Sequence, residues 1–194
     1  FILKASHGCN QNVVCHDAAD WQAARRRAAG WTRRAYGLWL DEWAYRDLPP
    51  GYIVEPFLGS GDQLPVDYKI YVFGGHAVLV QVHLDRGRNH RWTLYDRAWT
   101  QVSMPEEAPS PAPANLDRML AAAETLARPF DFARIDFYEI DGQPKFGEVT
   151  FYPGSGLDPF DPPELDRHIG ALWLAAIAGD RAEPKQAELQ PVAA

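Results

Sequence analysis

Asp136 and Glu148 sit in two runs rich in aromatic and β-branched residues, Arg134–Ile140 and Lys145–Phe151, separated by Asp141-Gly142. Asp-Gly between such runs marks a hairpin turn. A three-residue loop, Asp141–Gln143, would set Asp136 directly across from Glu148, and alternation would bring Thr150 to the same face. Like charges facing each other repel. A divalent cation would relieve that, since Mg²⁺ takes one or two carboxylates and completes its shell with substrate phosphates. Two solvated acids on an exposed face are the other reading of the same spacing.

Four cations accompany this pair. Lys4 interrupts the apolar run Phe1–Ala5, where lysine is rarely buried without a partner. The loop that follows, Ser6-His7-Gly8-Cys9-Asn10, is small enough for backbone N–H groups to approach an anion. It is not a Walker A loop, because no Gly-x-x-x-x-Gly-Lys-Ser/Thr occurs. Asp67 and Lys69 share a strand face. Lys4, Lys69, Arg86 and Arg134 gathered around a metal would neutralise a transferring phosphoryl group; taken singly, each also reads as a solvated surface charge. Val54-Glu55-Pro56-Phe57-Leu58 could line an adenine pocket, offering the Pro56 carbonyl and the Leu58 N–H, since proline keeps its carbonyl.

Two competing chemistries are weaker. His7, Cys9, Cys15 and His16 are zinc-ligand types, but alternation parts Cys15 from His16 and the spacing matches no common finger. Arg25–Arg27 and Arg33–Arg34 could meet nucleic acid, or form the wet face of a helix. A formal charge of −7 over 194 residues argues against bulk nucleic-acid binding. No run of about 18 apolar residues offers a membrane span. Two cysteines make no disulfide framework, so a cytoplasmic setting is expected.

These residues need strands to hold them. Phe1–Ser6, Asn12–His16, Tyr52–Leu58, Tyr68–Phe73, His76–Leu84 and Arg91–Tyr95 read as strands, with Gly74-Gly75 a two-residue turn. Asp17 can cap a helix from Ala18 that carries Trp21, Trp31, Tyr36, Leu38 and Leu40. The proline-rich Met104–Ala114 is a loop. Asn115 caps a helix through Leu126, and Asp161-Pro162-Pro163-Glu164 starts another that runs to about Ala178, with Gly179 as its stop. The tail from Asp180 is polar and is expected to fray. Phe1 opens a strand already under way with no initiator methionine, which predicts upstream sequence, or a strand from another chain, pairing with it.

In this order the pieces resemble the ATP-grasp superfamily, and within it the TupA-like proteins named for teichuronopeptide biosynthesis. The similarity runs from Phe1 to about Leu174. It is carried by Phe-Ile-Leu-Lys-Ala-Ser-His-Gly at 1–8, Asn-Val-Val at 12–14, Val-Glu-Pro-Phe-Leu at 54–58 and Asp-Tyr-Lys at 67–69. Asp-Arg at 85–86, Arg-Ile-Asp-Phe-Tyr at 134–138 and Phe-Gly-Glu-Val-Thr-Phe-Tyr-Pro-Gly-Ser-Gly at 146–156 complete the set.

The resemblance implies an α+β fold of two lobes with ATP between them, its N-terminal part absent. Residues 1–57 would be a partial first lobe and hinge, 58–179 the second lobe, and 180–194 a flexible tail. It implies an ATP- and Mg²⁺-dependent ligase that joins a carboxylate to an amine through an acyl phosphate, in cell-surface polysaccharide or peptide-polymer synthesis. Lys4 looks like the lysine on the α- and β-phosphates, with Ser6, His7, Gly8 and Asn12 about the loop that closes over them. Glu55, Pro56, Phe57 and Leu58 resemble the adenine hinge, and Asp67 the acid near the ribose. Lys69, Arg86 and Arg134 resemble the catalytic cations; Asp136, Glu148 and Thr150 the metal ligands; Pro153–Gly156 the turn approaching the acceptor. Two positions depart from the pattern: Thr150 stands where asparagine is usual, and Asn10 where glycine is common. An ATP-grasp kinase acting on a hydroxyl, and a non-catalytic nucleotide-binding module, stay open beside the ligase.

Overall fold

Strand alternation and two helices with one apolar stripe each are enough to build the larger part of this protein. The computed structural model describes residues 1–33, 36–38, 40–61, 63–86, 89–102 and 109–179. The tail from 180 and residues 104–108 of the proline-rich stretch lie outside them, and Pro109–Pro113 has no regular structure. The chain divides into two compact units, Phe1–Leu58 and a second from Gly59 onward.

The first unit is a three-stranded antiparallel sheet, order β2-β1-β3, with β1 at Ile2–Ala5, β2 at Asn12–Val14 and β3 at Tyr52–Glu55. Helix α1, Ala18–Ala28, packs Ala24 and Ala28 with Leu3, Ala5, Cys15 and Trp31. Asp17 caps it as its position predicts, accepting from the Ala19 and Asp20 N–H groups at 2.8 and 2.9 Å. The helix is shorter than expected. It ends before Gly30, and Trp31–Arg33 is a single 3₁₀ turn. A short α2, Trp43–Arg46, follows. β1 is paired on both sides, so the open edges of this sheet belong to β2 and β3. β3 stops at Glu55, which pairs with Ile2, the first residue of β1.

The second unit is a five-stranded antiparallel sheet, order β6-β5-β4-β7-β8. Its strands are β4 (Asp67–Phe73), β5 (His76–Leu84), β6 (Arg91–Asp96), β7 (Phe132–Ile140) and β8 (Gln143–Thr150). β4 is central and buried along its whole length. Its even-numbered residues, Tyr68, Ile70 and Val72, form one face with Val80, Val82, Ile135 and Phe137, covered by Met119, Leu120, Ala123 and Ala127 of α3 (Leu116–Ala127). On the other face α4 (Pro163–Ile177) lays Leu165 and Ile169 over Tyr71, Phe73, Leu79, Leu94 and Phe132. That second cover reaches only the Phe73–Phe132 end. The remainder of the face carries Asp67, Lys69, Arg134 and Asp136.

Two caps differ from expectation. Asn115 makes no side-chain cap on α3; its amide instead donates to Glu139 Oε1 at 2.9 Å and the Gly142 carbonyl at 2.8 Å, tying the helix start to the β7–β8 hairpin. Asp161 does not cap α4, whose N-cap position is Pro162.

Candidate active site

The β7–β8 hairpin brings Asp136 opposite Glu148, but by a different route from the three-residue loop. The turn is the two residues Asp141-Gly142, at φ 52° and 66°, and Ile140 pairs with Gln143. Positive φ at both central positions is the type I′ geometry that matches strand twist. A regular ladder from that turn would place Gly147 opposite Asp136. A bulge between Asp136 and Phe137 absorbs one residue, so Phe146 faces Phe137 and Glu148 faces Asp136. Glycine suits the extra position, because a Cβ on Gly147 would lie 3.1 Å from the Asp136 carbonyl oxygen and 3.3 Å from the Tyr138 ring.

Register then collects one polar row across three strands: Lys69 pairs with Asp136, Asp136 with Glu148, and Arg134 with Thr150. Asp67, Lys69 and Asp136 are each no more than 5% exposed. Buried charges demand partners. Arg134 grips Asp136 in a fork, Nε to Oδ1 and Nη2 to Oδ2, both 2.8 Å. Lys69 Nζ bonds Asp136 Oδ2 and lies 2.8 Å from Asp67 Oδ2. Arg86 donates to that same Asp67 oxygen at 2.6 Å. Arg134 also reaches Glu148 Oε1 at 3.4 Å and Thr150 Oγ1 at 3.3 Å, and the Thr150 hydroxyl donates to Glu148 at 3.2 Å. Arg134 therefore bridges the two facing acids and offsets their repulsion. Burial is the largest single influence and works against its charge, but the Asp136 carboxylate, joined by Tyr71 and Glu148, holds the guanidinium pKa above its ordinary value. Tyr71, beside Arg134, is pushed up to about 12, chiefly by burial.

Three acids and three cations thus share one surface. Asp67 Oδ1 is buried with no partner among the described residues. Glu148 keeps 59% of its side chain exposed. Among the described residues no three His, Cys, Asp or Glu converge to hold a metal. A hard cation here would rest on Asp136 and Glu148, with Thr150 beside them. That donor set fits Mg²⁺, which needs few protein carboxylates when phosphate oxygens fill its shell.

The first unit gathers the residues that the resemblance assigns to nucleotide, except Asp67, which lies in the second unit, buried against Lys69 and Arg86. Lys4 pairs with Asn12 on β2, and Lys4 Nζ lies 2.5 Å from Glu55 Oε2 on the same face of the sheet. Glu55 leads into Pro56–Leu58, where, among the described residues, neither the Pro56 carbonyl nor the Leu58 N–H has a hydrogen-bond partner. Phe57 meets the His16 ring edge-on at 5.6 Å. The loop after β1 is braced from inside. His7 is buried, its Nε2 donating to the Trp31 carbonyl at 3.0 Å while its Nδ1 accepts from the Gly51 N–H at 3.4 Å. Its side chain is committed to holding the loop, which leaves backbone groups for a ligand. The Ser6 N–H bonds the Gly51 carbonyl at 3.0 Å, leaving its hydroxyl at the surface. Gly8 lies under Tyr36, where an added Cβ would fall 2.5 Å from the ring. Asn10 takes φ 59°, a left-handed conformation asparagine tolerates better than most residues, so it serves where glycine is common. The zinc-type residues do not converge: His7 faces Trp31, Cys15 lies in the α1 core and Cys9 Sγ contacts the Tyr36 hydroxyl at 2.6 Å.

A cavity of about 380 Å³ adjoins the polar row in the second unit, with Tyr71, Gln81, His83, Arg134 and Asp158 among its lining. Sequence reasoning passed over Gln81 and His83. Their signal was legible: two polar side chains two residues apart in an otherwise apolar strand, on the face that carries Lys69.

The chain matches the sequence profile of TupA-like ATPgrasp over residues 1–174. Among solved structures it is similar to D-alanine–D-alanine ligase from Bacillus anthracis complexed with ATP, at TM-score 0.50 and 13% identity, covering 93% of this chain and 52% of that one. The ATP-grasp ligase PsnB, complexed with a phosphomimetic variant of its minimal precursor, Mg and ADP, matches at TM-score 0.47 and 14% identity, over 93% of this chain and 46% of that one. The chain spans about half the length of these solved ligases. Comparison with curated proteins finds no significant match. No described helix is long and apolar enough to cross a membrane. The likeness to the D-alanine–D-alanine ligase shows the ATP-grasp fold. Since the profile match extends from β1 into α4, the chain belongs to the TupA-like ATP-grasp family.

Proposed function

We propose that this protein is an ATP- and Mg²⁺-dependent ligase that joins a carboxylate to an amine through an acyl phosphate, in cell-surface polysaccharide or peptide-polymer synthesis. The observation that carries the reading is the buried row Asp67–Lys69–Asp136–Arg134, continued outward by Glu148 and Thr150. Burying two acids with two cations is costly for stability alone, because desolvation offsets most of the Coulombic gain. Such a row is better explained by a ligand whose charge it must meet.

In the reaction, a substrate carboxylate oxygen attacks the γ-phosphorus, the bond to the β–γ bridging oxygen breaks, and ADP leaves. An amine then attacks the acyl carbon, phosphate departs, and the amine proton passes to a base. Lys69, Arg86 and Arg134 are the catalytic cations, positioned beforehand by Asp67 and Asp136 so that little reorganisation is needed as charge moves. Asp136 and Glu148, with Thr150, would hold Mg²⁺, which supplies charge neutralisation of the phosphates. In the first unit, Lys4 would contact phosphates, with Ser6, His7, Gly8 and Asn12 shaping their loop. Glu55, Pro56, Phe57 and Leu58 would receive the adenine; the unpartnered Pro56 carbonyl and Leu58 N–H support this. Dependence on ATP fits a cytoplasmic setting.

The test is ADP release by the purified chain with Mg-ATP and panels of carboxylates and amines. Release that requires both substrates, with hydroxamate formed when hydroxylamine replaces the amine, supports the ligase. A stable phosphate ester on a hydroxyl acceptor would mean a kinase. Nucleotide binding with no ADP release for any pair would sink both enzymatic readings.

A further inference from the structure

We infer that the α1 face of the first unit docks on an anionic lipid bilayer, with Arg25, Arg26, Arg27 and Arg33 against the headgroups and Tyr52 and Val54 at the lipid interface. The four arginines are exposed, three in the last turn of α1 and one at the end of the 3₁₀ turn that follows. Among the described residues none of these guanidiniums has an acidic or hydrogen-bonding partner. Elsewhere the chain neutralises such groups: Arg46, Arg86, Arg91, Arg97, Arg134 and Arg167 each lie within reach of a carboxylate. On α1 no acid stands three or four residues from Arg25, Arg26 or Arg27, where only Trp, Gln, Ala and Gly occur. Asp17 and Asp20 are held at the opposite end, accepting the N–H groups of Ala19, Asp20 and His16. The helix dipole presents about half a negative charge at its C-terminus and fades beyond the last turn. It accounts for neither three arginines nor Arg33.

An apolar surface adjoins the cations. Leu3 and Ala5 pack under α1, and direct pairing turns their β3 partners, Val54 and Tyr52, to the same side of the sheet. Val54 remains 60% exposed and Tyr52 47%. The Tyr52 ring is fixed beside the last turn of α1 by its hydroxyl, which donates to the Ala28 carbonyl at 3.0 Å. Val54 shares a cavity of about 470 Å³ with Ala18 and Trp21 of the helix. Arg25 stands one turn above Trp21 on the same stripe.

Guanidiniums, a tyrosine ring and an aliphatic side chain thus occupy one side of one unit. A phosphodiester chain could use the arginines and the ring, but it has no use for Val54. The interface of an anionic bilayer takes all three, since arginine stems and tyrosine rings are themselves amphipathic. The net charge of −7 does not prevent this, because at physiological salt the field of exposed charges fades over about 8 Å. Lys4 and Glu55 lie on the other face of the sheet, so docking through α1 leaves the face assigned to nucleotide uncovered.

The test is co-sedimentation of the full chain with phosphatidylcholine vesicles, with and without phosphatidylglycerol, at low and high salt. The chain should pellet only with the anionic vesicles, and salt should release most of it. Each arginine near an anionic surface raises partitioning about fivefold, so Arg25→Gln/Arg26→Gln/Arg27→Gln should weaken it roughly hundredfold. Arg25→Lys/Arg26→Lys/Arg27→Lys should keep most of the binding, and circular dichroism checks that both proteins fold. Arg26→Gln alone should cost about fivefold and reads the same contact if the triple variant does not fold. Arg128→Gln removes an equally exposed charge at the end of α3 and should leave binding unchanged. Val54→Ser should weaken vesicle binding roughly two- to fivefold while leaving binding of soluble polyphosphate as it was. Equal binding to neutral vesicles, no binding to anionic ones, or an Arg128→Gln loss as large as that of Arg26→Gln overturns the inference. So does polyphosphate bound as tightly as vesicles with Val54→Ser neutral for both. A Mg²⁺–AMPPNP titration of the same samples reads nucleotide separately: vesicle docking without nucleotide binding would sink the ligase reading and leave the membrane face standing.

Discussion

Asp136→Asn and Glu148→Gln each remove one negative charge from facing positions of the same hairpin, yet they should separate stability from ligand binding. The Asp136 side chain is 2% exposed and bonded by Arg134 and Lys69. Breaking a buried pair by removing one partner costs about 3–5 kcal/mol. Here the stranded cations keep other contacts: Lys69 retains Asp67 at 2.8 Å, and Arg134 retains Glu148 and Thr150. The expected loss is therefore about 2–3 kcal/mol. At roughly 2–4 °C per kcal/mol for a chain of this size, Tm should fall by about 4–12 °C. Glu148 is different, with 59% of its side chain exposed and its Arg134 contact at 3.4 Å. Exposed pairs contribute about 0–1 kcal/mol, so Glu148→Gln should melt within roughly 4 °C of the wild type. Both variants should lose magnesium-dependent nucleotide binding. Thermal melts followed by circular dichroism and calorimetric titration with Mg²⁺ and AMPPNP read the two effects independently. An Asp136→Asn protein that melts within about 1 °C of the wild type (under ~0.5 kcal/mol) would show that the buried row is not coupled as its geometry implies. A Glu148→Gln protein that binds magnesium nucleotide normally would remove Glu148 from the metal site.

Gly8→Ala places a Cβ 2.5 Å from the Tyr36 ring, so the loop must shift and nucleotide affinity should drop about tenfold or more; the double variant with Tyr36→Ala should recover most of it, and failure of that rescue would refute the steric account. Gly147→Val presses on the Asp136 carbonyl, which cannot yield without disturbing the ladder, and should cost about 1–3 kcal/mol in urea denaturation; a neutral result would mean the bulge does not need glycine. Burial and neighbouring cations lower the His83 pKa from 6.5 to about 2, so the folded chain stays unprotonated where the unfolded chain takes a proton. Stability should fall as pH drops below 6.5, by at most about 1.4 kcal/mol per pH unit from this group. His83→Asn should flatten that slope in urea melts between pH 6.5 and roughly 5, and an unchanged slope would exclude His83 as its source.

The second unit was largely legible because its strands are long and alternate cleanly. Asp67, Lys69 and Tyr71 point one way from β4 while Tyr68, Ile70 and Val72 point the other, and a period of two assigns each to its face without further information. Gly74-Gly75 announced its turn in the same way. Helix ends were less legible: α1 stops at Ala28 although large apolar residues continue to Leu40, because Trp31 turns into the α1 core instead of extending the stripe. Asn115 resembled a cap, but Glu139 and Gly142 compete for its amide.

The facing of Asp136 and Glu148 shows the boundary most clearly. Residue types, the Asp-Gly turn and the ordered motifs belong to the chain itself, and they determined the family, the mixed fold and the acids and cations worth considering. Only the tertiary structure decided that a two-residue turn plus a bulge sets the register, that Arg134 bridges the acids, and that His83 and Asp158 line one cavity beside them. The physical reason is range. Turn type and alternation depend on neighbours a few residues apart, whereas a bulge, the end of the α4 cover and the pairing of buried charges depend on strands brought together from distant parts of the sequence.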